Sequence, residues 1–280
     1  MIETISEQRC FDGVQGTYRH TSAATNGAMK FSVYVPPQAS SHPVPALYFL
    51  AGLTCTEETF AIKAGAQRLA AELGLMLVAP DVSPRDTGFE SATGDWEFGE
   101  GAGFYVDATQ APWSQRFGMY SYVAKELPAL IEAEFPADNT RRVIFGHSMG
   151  GHGALTIALK HPDRYRSVSA FAPIVAPVQV PWGQKAFQRY LGQNPLEWAD
   201  YDACELVRNG HRFPRGILID QGEADRFLAE QLRPQLFRDA CASAGQALTL
   251  RTHSGYDHSY WFIQSFVADH LRHHSALLGR

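Results

Sequence analysis

This 280-residue sequence is short of cysteine, of concentrated positive charge and of long apolar runs, and each shortage removes a class of protein. The four cysteines, Cys10, Cys55, Cys204 and Cys241, are widely scattered with no C-x-x-C pair, so neither a disulfide framework nor a thiolate metal site is expected. Eleven histidines are more than average, yet none falls in H-E-x-x-H or a comparable spacing, and no metal is expected. His270, His273 and His274 read as a solvated helix end near the C-terminus. Lysine and arginine (24) are outnumbered by aspartate and glutamate (29), and a net charge of −5 offers no footprint for nucleic acid. No apolar run approaches the ~20 residues that cross a bilayer, so no membrane partner is expected. Met1 to His20 mixes Glu3, Glu7, Arg9 and Asp12 with polar residues and lacks the apolar core of a secretory signal, which makes the cytoplasm the expected location.

What is present is an ordinary globular composition, 45% hydrophobic and 19% charged, in a chain long enough to bury a sizeable core. Short apolar runs at Phe31–Val35, Ala46–Leu50, Leu75–Ala79, Val143–Phe145, Val168–Phe171, Ile217–Ile219 and Leu248–Arg251 read as strands. Segments of helical period separate them: Glu58–Leu73, Tyr120–Phe135, Gly151–Lys160, Ala229–Ala244 and a closing Tyr260–His274. Such alternation predicts an α/β fold with a mostly parallel sheet covered on both faces, the strands before Ala46 being antiparallel additions at one edge. Pro128 lies inside a predicted helix, as a kink or an end. Ser83 to Gly118, rich in Gly and aromatics, shows no clear period, and Pro173 to Pro214 carries Pro177, Pro181, Trp182, Trp198 and one amphipathic piece around Lys185–Leu191; both read as active-site or binding loops. There is no repeat or linker, and one domain over 1–280 is the expectation.

The most informative segment is Arg141-Arg142-Val143-Ile144-Phe145-Gly146-His147-Ser148-Met149-Gly150-Gly151-His152-Gly153. An apolar strand runs into G-x-S-x-G and then into a Gly- and Ala-rich helix, the context of the nucleophile elbow in the α/β-hydrolase fold. Ser148 then needs a base, and the base an orienting acid, in the chain order Ser, Asp or Glu, His. After the strand ending at Ile219 come Asp220, Glu223 and Asp225. Asp220 ends the strand and reads as a local pairing group. Asp225 is favoured, with Glu223 as the fallback. After the strand Leu248–Arg251 come His253, still at the strand's end, and His258, beyond the Gly255 turn and just before a helix; His258 is the favoured base. Oxyanion donors are expected from the amide of Met149 and, in the loop after Ala46–Leu50, from that of Leu53.

These residues carry a resemblance. Leu50-Ala51-Gly52-Leu53-Thr54-Cys55-Thr56, Gly99-Glu100-Gly101-Ala102-Gly103-Phe104-Tyr105-Val106-Asp107-Ala108-Thr109, Gly146 to Gly153, Asp220-Gln221-Gly222 with Asp225, Phe227 and Leu228, and Ser254-Gly255-Tyr256-Asp257-His258-Ser259-Tyr260 resemble the S-formylglutathione hydrolases of the esterase D family, over about residues 10 to 275. The resemblance implies hydrolysis of S-formylglutathione to formate and glutathione, the late step of glutathione-dependent formaldehyde detoxification. It also implies a triad of Ser148, Asp225 and His258, oxyanion amides on Leu53 and Met149, a homodimer, no cofactor, and a cysteine at position 55 close to the site. A formyl group is tiny, so aromatics should crowd the acyl side, with Trp96, Phe104 and Trp182 as candidates. Lys63, Arg85 and Lys185 lie on segments that border the cleft, but none is singled out for the glutathione moiety. The competing readings are a general short-chain carboxylesterase of the same fold and a non-catalytic binding module.

Overall fold

The computed structural model describes residues 2–279. Its frame is a nine-stranded sheet in the order β1-β2-β3-β5-β4-β6-β7-β8-β9. The strands are β1 (Ile2–Cys10), β2 (Gly13–Ser22), β3 (Gly27–Val35), β4 (Val44–Leu50), β5 (Met76–Pro80), β6 (Ala137–His147), β7 (Ser167–Phe171), β8 (Ile217–Gly222) and β9 (Leu248–His253). β1 to β3 form an antiparallel meander joined antiparallel to β5, and the strands from β4 to β9 run parallel. The antiparallel edge agrees with expectation, but β1 and β2 are longer than any apolar run there announces. β1 is exposed or partly exposed at every position, so it needed no apolar pattern to be a strand.

The helices are α1 (Glu57–Lys63), α2 (Gln67–Leu73), α3 (Met119–Ser121), α4 (Leu127–Glu134), α5 (Met149–Lys160), α6 (Pro181–Leu191), α7 (Pro195–Trp198), α8 (Ala203–Arg208), α9 (Pro234–Ala244) and α10 (Tyr260–Leu277). The single helix expected over Glu58–Leu73 is split into α1 and α2, because Gly65 between them takes φ 66°. The helix expected over Ala229–Ala244 is likewise interrupted. A wide turn at Leu228–Leu232 ends at Arg233 (φ 45°), and α9 starts at Pro234 in the first helical position, where its missing N–H costs nothing. Pro128, by contrast, neither ends nor breaks its helix. A π-helical turn at Tyr122–Glu126 joins α3 to α4, and Arg164 donates to the Ala124 carbonyl (3.1 Å) that Pro128, four residues on, cannot reach with an N–H.

β7 is buried on both faces, and its alternation sorts the layers. Ala170 faces α5, whose residues from Met149 to Leu159 are all buried. Ser167, Ser169 and Phe171 face α10. There the expectation of a solvated helix end is corrected for His270 and His274, both fully buried. Ser169 Oγ bridges His270 Nδ1 (2.7 Å) and His274 Nε2 (2.8 Å), His274 Nδ1 meets Ser167 Oγ (2.8 Å), and His270 Nε2 meets Asp220 (3.2 Å). The serines on alternate positions of β7 match the i, i+4 histidines of α10, so the polar ring atoms are satisfied and the helix docks.

Candidate active site

Four chain segments converge at the carboxyl ends of β4, β6, β8 and β9, where open parallel sheets bind ligands. At the end of β6 the chain reverses so sharply that Ser148 takes φ 57°, ψ −118°, a conformation that a non-glycine residue holds only when its surroundings enforce it. Here they do: Ser148 N–H donates to Phe171 O (2.9 Å), and Ser148 O accepts from His152 N–H (3.0 Å) and Ile174 N–H (3.2 Å). The flanking glycines are dictated by contact. A Cβ on Gly150 would lie 1.9 Å from Leu50 O, and one on Gly146 would lie 2.3 Å from Gly150 O. The turn places Ser148 at the N-terminus of α5, where the helix dipole favours negative charge.

From the β9–α10 loop, His258 Nε2 reaches Ser148 Oγ at 2.9 Å, and its Nδ1 reaches Asp225 Oδ2 at 2.5 Å. Asp225 is buried; Phe227 N–H donates to its Oδ1 (2.8 Å) and Gln221 Nε2 to its Oδ2 (3.3 Å). The three side chains selected in the sequence therefore lie in one hydrogen-bonded series. Glu223 is exposed on the same loop and makes no hydrogen bond or ion pair with His258 among the described residues. His253 lies 3.4 Å from Asp220 and stacks on Phe266 with ring centroids 3.8 Å apart. Asp220 pairs with Arg251 through two 2.6 Å contacts. Burial opposes its ionisation, but His270 and Arg251 overcome that and hold the carboxyl well below the usual carboxylate range.

The loop after β4 is pinned from beneath. Arg85, bidentate on buried Asp81, donates to Cys55 O (2.8 Å), and Tyr105 Oη donates to Ala51 O (2.9 Å). Thr54 N–H is taken by Gly101 O (2.8 Å) and Cys55 N–H by Gly52 O (3.3 Å), whereas the amides of Leu53 and Met149 meet no acceptor among the described residues. Arg85 thus braces this loop rather than bordering the cleft as a surface charge. Sequence reasoning missed Asp81, and it gave no role to Tyr105 or Gln221, although both lie inside motifs that carry the resemblance. It also passed over His147, although that residue sits inside the elbow motif. The His147 ring lies 4.4 Å from that of His258, and both of its nitrogens are buried with no hydrogen-bond partner among the described residues. Burial and the neighbouring His258 push its pKa well below the ordinary histidine value, so it stays neutral.

Ser148 opens into a cavity of about 290 Å³ lined by Gly52, Leu53, Cys55, Trp96, Trp182, Phe227 and His258, among others. Trp96 and Trp182 meet edge to face at 5.4 Å, Trp182 packs on Phe227 at 4.7 Å, and Phe227 meets His258 at 5.1 Å, an aromatic wall on one side. Trp182 Nε1 donates to Glu97 (2.8 Å), which with Asp95 also pairs Lys185. Phe104 does not belong to that wall. It is fully buried and outside the cavity lining, and its carbonyl partners His152 Nε2 (2.9 Å). Cys55 lies on the lining, with burial pushing its thiol above the ordinary cysteine value, opposed by the Tyr260 and Thr59 hydroxyls. Among the described residues, no group of three or more His, Cys, Asp or Glu side chains is arranged to hold a metal, and no helix is long and apolar enough to cross a membrane.

A parallel sheet with a strained serine at its centre, followed along the chain by a paired acid and histidine, defines an α/β-hydrolase of the serine type. The esterase family model matches residues 22–273. The S-formylglutathione hydrolase of Rattus norvegicus is 51% identical over 279 residues, covering 99% of both chains, and that of Mus musculus is 52% identical over 279 residues with the same coverage. The structure of an S-formylglutathione hydrolase from Agrobacterium tumefaciens superposes with a TM-score of 0.97 at 52% identity, covering 99% of each chain. The chain belongs to the S-formylglutathione hydrolase family of esterases and is a hydrolase.

Proposed function

We propose that this enzyme hydrolyses S-formylglutathione to formate and glutathione through a formyl-enzyme on Ser148. The observation that carries the reading is the 2.9 Å and 2.5 Å contacts of His258 with Ser148 and Asp225 on the floor of a small aromatic-walled cavity, in a chain that aligns end to end with enzymes of that name. Ser148 Oγ attacks the formyl carbon while His258 Nε2 takes its proton, and Asp225 keeps the proton of the imidazole on Nδ1. The unengaged amides of Leu53 and Met149 receive the oxyanion, each such donor being worth roughly 3 kcal/mol. The tetrahedral adduct collapses, the C–S bond breaks, and His258 returns the proton to the departing sulfur. Water then attacks the formyl-enzyme, giving its proton to His258, and formate leaves as Ser148 recovers its hydrogen. Trp96 and Trp182 confine the acyl side, and Cys55 borders it as a neutral thiol.

No cofactor enters any of these steps. The wider reading is of one domain over 1–280, acting as a cytoplasmic homodimer in formaldehyde detoxification. The deciding assay presents S-formylglutathione, S-acetylglutathione and p-nitrophenyl acetate in parallel, with Ser148→Ala as the blank. A strong preference for the formyl thioester, lost in the variant, is expected. Equal or better turnover of the aryl ester would replace the reading with that of a general carboxylesterase.

A further inference from the structure

A cavity of about 290 Å³ accommodates a small acyl group, but it lies at the bottom of the range of roughly 300–1,000 Å³ that ligand sites occupy and leaves little room for a tripeptide besides. The leaving group has to extend into adjoining space: one groove shares Arg226, Phe227 and His258 with the cavity lining, and a second adjoins that groove at Ser259. One, of about 450 Å³, is lined by Arg226 but also by Asp257, so a carboxylate there meets a like charge. The other, of about 490 Å³, is lined by Ile62, Lys63, Ser259, Tyr260, Trp261 and Gln264, with no acidic side chain.

Lys63 is the informative residue of the second groove. Of the three cations that border the cleft in sequence, Arg85 is held by Asp81 and Lys185 by Asp95 and Glu97. Lys63 has no carboxylate partner among the described residues, and its ammonium stands 5.9 Å from the Tyr260 ring centroid. Tyr260 links the two spaces: its hydroxyl faces the Cys55 side chain on the cavity lining, while its ring borders the groove. Ile62 and Trp261 flank Lys63 at 74% and 76% exposure, an apolar surface that the fold itself does not use.

We propose that this groove is the leaving-group subsite and that Lys63 pairs there with a carboxylate of the departing thiol, making it a specificity-determining residue; the inference rests on the thioesterase reading above. Glutathione carries two carboxylates and one ammonium. An unpaired cation beside an aromatic surface complements such a ligand, and a neutral aryl ester gains nothing from it. Lys63 lies outside the reacting atoms, so its effect belongs in substrate affinity rather than in the chemical step.

The test measures kcat and KM for S-formylglutathione and for p-nitrophenyl acetate in wild type, Lys63→Met, Lys63→Arg and Arg226→Gln. We expect the ratio of thioester to ester kcat/KM to fall on the order of fivefold in Lys63→Met, as suits an exposed ion pair. The loss should appear in the thioester KM, shrink with added salt and be restored in Lys63→Arg. An unchanged ratio in Lys63→Met, or a fall confined to Arg226→Gln, would overturn the assignment while wild-type thioester turnover keeps the thioesterase reading. A change of oligomeric state in Lys63→Met with an unchanged ratio would give the patch to contact between copies instead. Wild type that fails to prefer the thioester would remove the underlying reading itself, and the subsite with it.

Discussion

At the level of single residues, the acid is the point where neighbouring groups compete most closely. Asp220, Glu223 and Asp225 lie within six positions on one strand end and its loop, yet they do unlike things. Asp220 is consumed by Arg251 and His270, Glu223 is exposed, and Asp225 holds His258. Asp225→Asn should lower kcat by about four orders of magnitude, because the amide no longer keeps the imidazole proton on Nδ1, whereas Glu223→Gln should leave kcat nearly unchanged. Steady-state rates on either ester or thioester check this, and comparable losses in both variants would contradict it. Trp182 argues the acyl side in the same way. Its replacement by Ala removes part of the wall facing Ser148, so turnover of S-acetylglutathione relative to S-formylglutathione should rise. Parallel thioester assays read that ratio.

At the level of elements, the elbow depends on how closely a strand and a helix approach. The Cβ of Gly150→Ala would sit 1.9 Å from the Leu50 carbonyl, a backbone atom that cannot swing aside, so β4 and α5 must separate. A loss of about 3 kcal/mol or more, read from denaturant midpoints, is expected, with activity falling as Ser148 shifts. The helix through Pro128 makes a gentler case. Arg164→Met deprives the Ala124 carbonyl of its side-chain donor and should cost about 1 kcal/mol without touching kcat. The motif around Ser148 was legible because strand, turn and helix are all local. Pro128 was ambiguous because its outcome depends on Arg164, which is distant in sequence. The breaks at Gly65 and Pro234 were legible in principle, since each residue carries its own backbone preference, but the helical period ran through them.

At the level of the whole molecule, the buried histidines tie stability to pH. His147, His152, His270 and His274 lie inside, and burial lowers the pKa of each; that of His152 is pushed down to about 4. A folded-state pKa below the unfolded value means that the unfolded chain binds more protons between the two. Stability is therefore complete above about pH 6.5 and is lost as the pH falls through the interval beneath it. Each buried histidine contributes about 1.4 kcal/mol of loss per pH unit until its folded value is reached. Urea midpoints should hold from pH 7.5 to about pH 6.5 and drop steadily from there to pH 5, and a flat profile would show that these rings are protonated in the fold.

The sequence by itself determined the alternation of strand and helix around the elbow, the elbow, and the chain order of the serine, acid and histidine that meet there, because these depend on local backbone preference and on short spacings. Its readings of Phe104, of His270 and His274, and of the three cleft cations could not be settled at that level. Whether an aromatic lines a cavity or fills the core, whether a histidine meets water or two serines, and whether a cation is paired are questions about neighbours distant in the chain. Only tertiary structure supplies those neighbours. It buried Phe104 behind His152, set alternate serines of β7 against the i, i+4 histidines of α10, and paired Arg85 and Lys185 while leaving Lys63, on the groove beside Tyr260, without a carboxylate partner among the described residues.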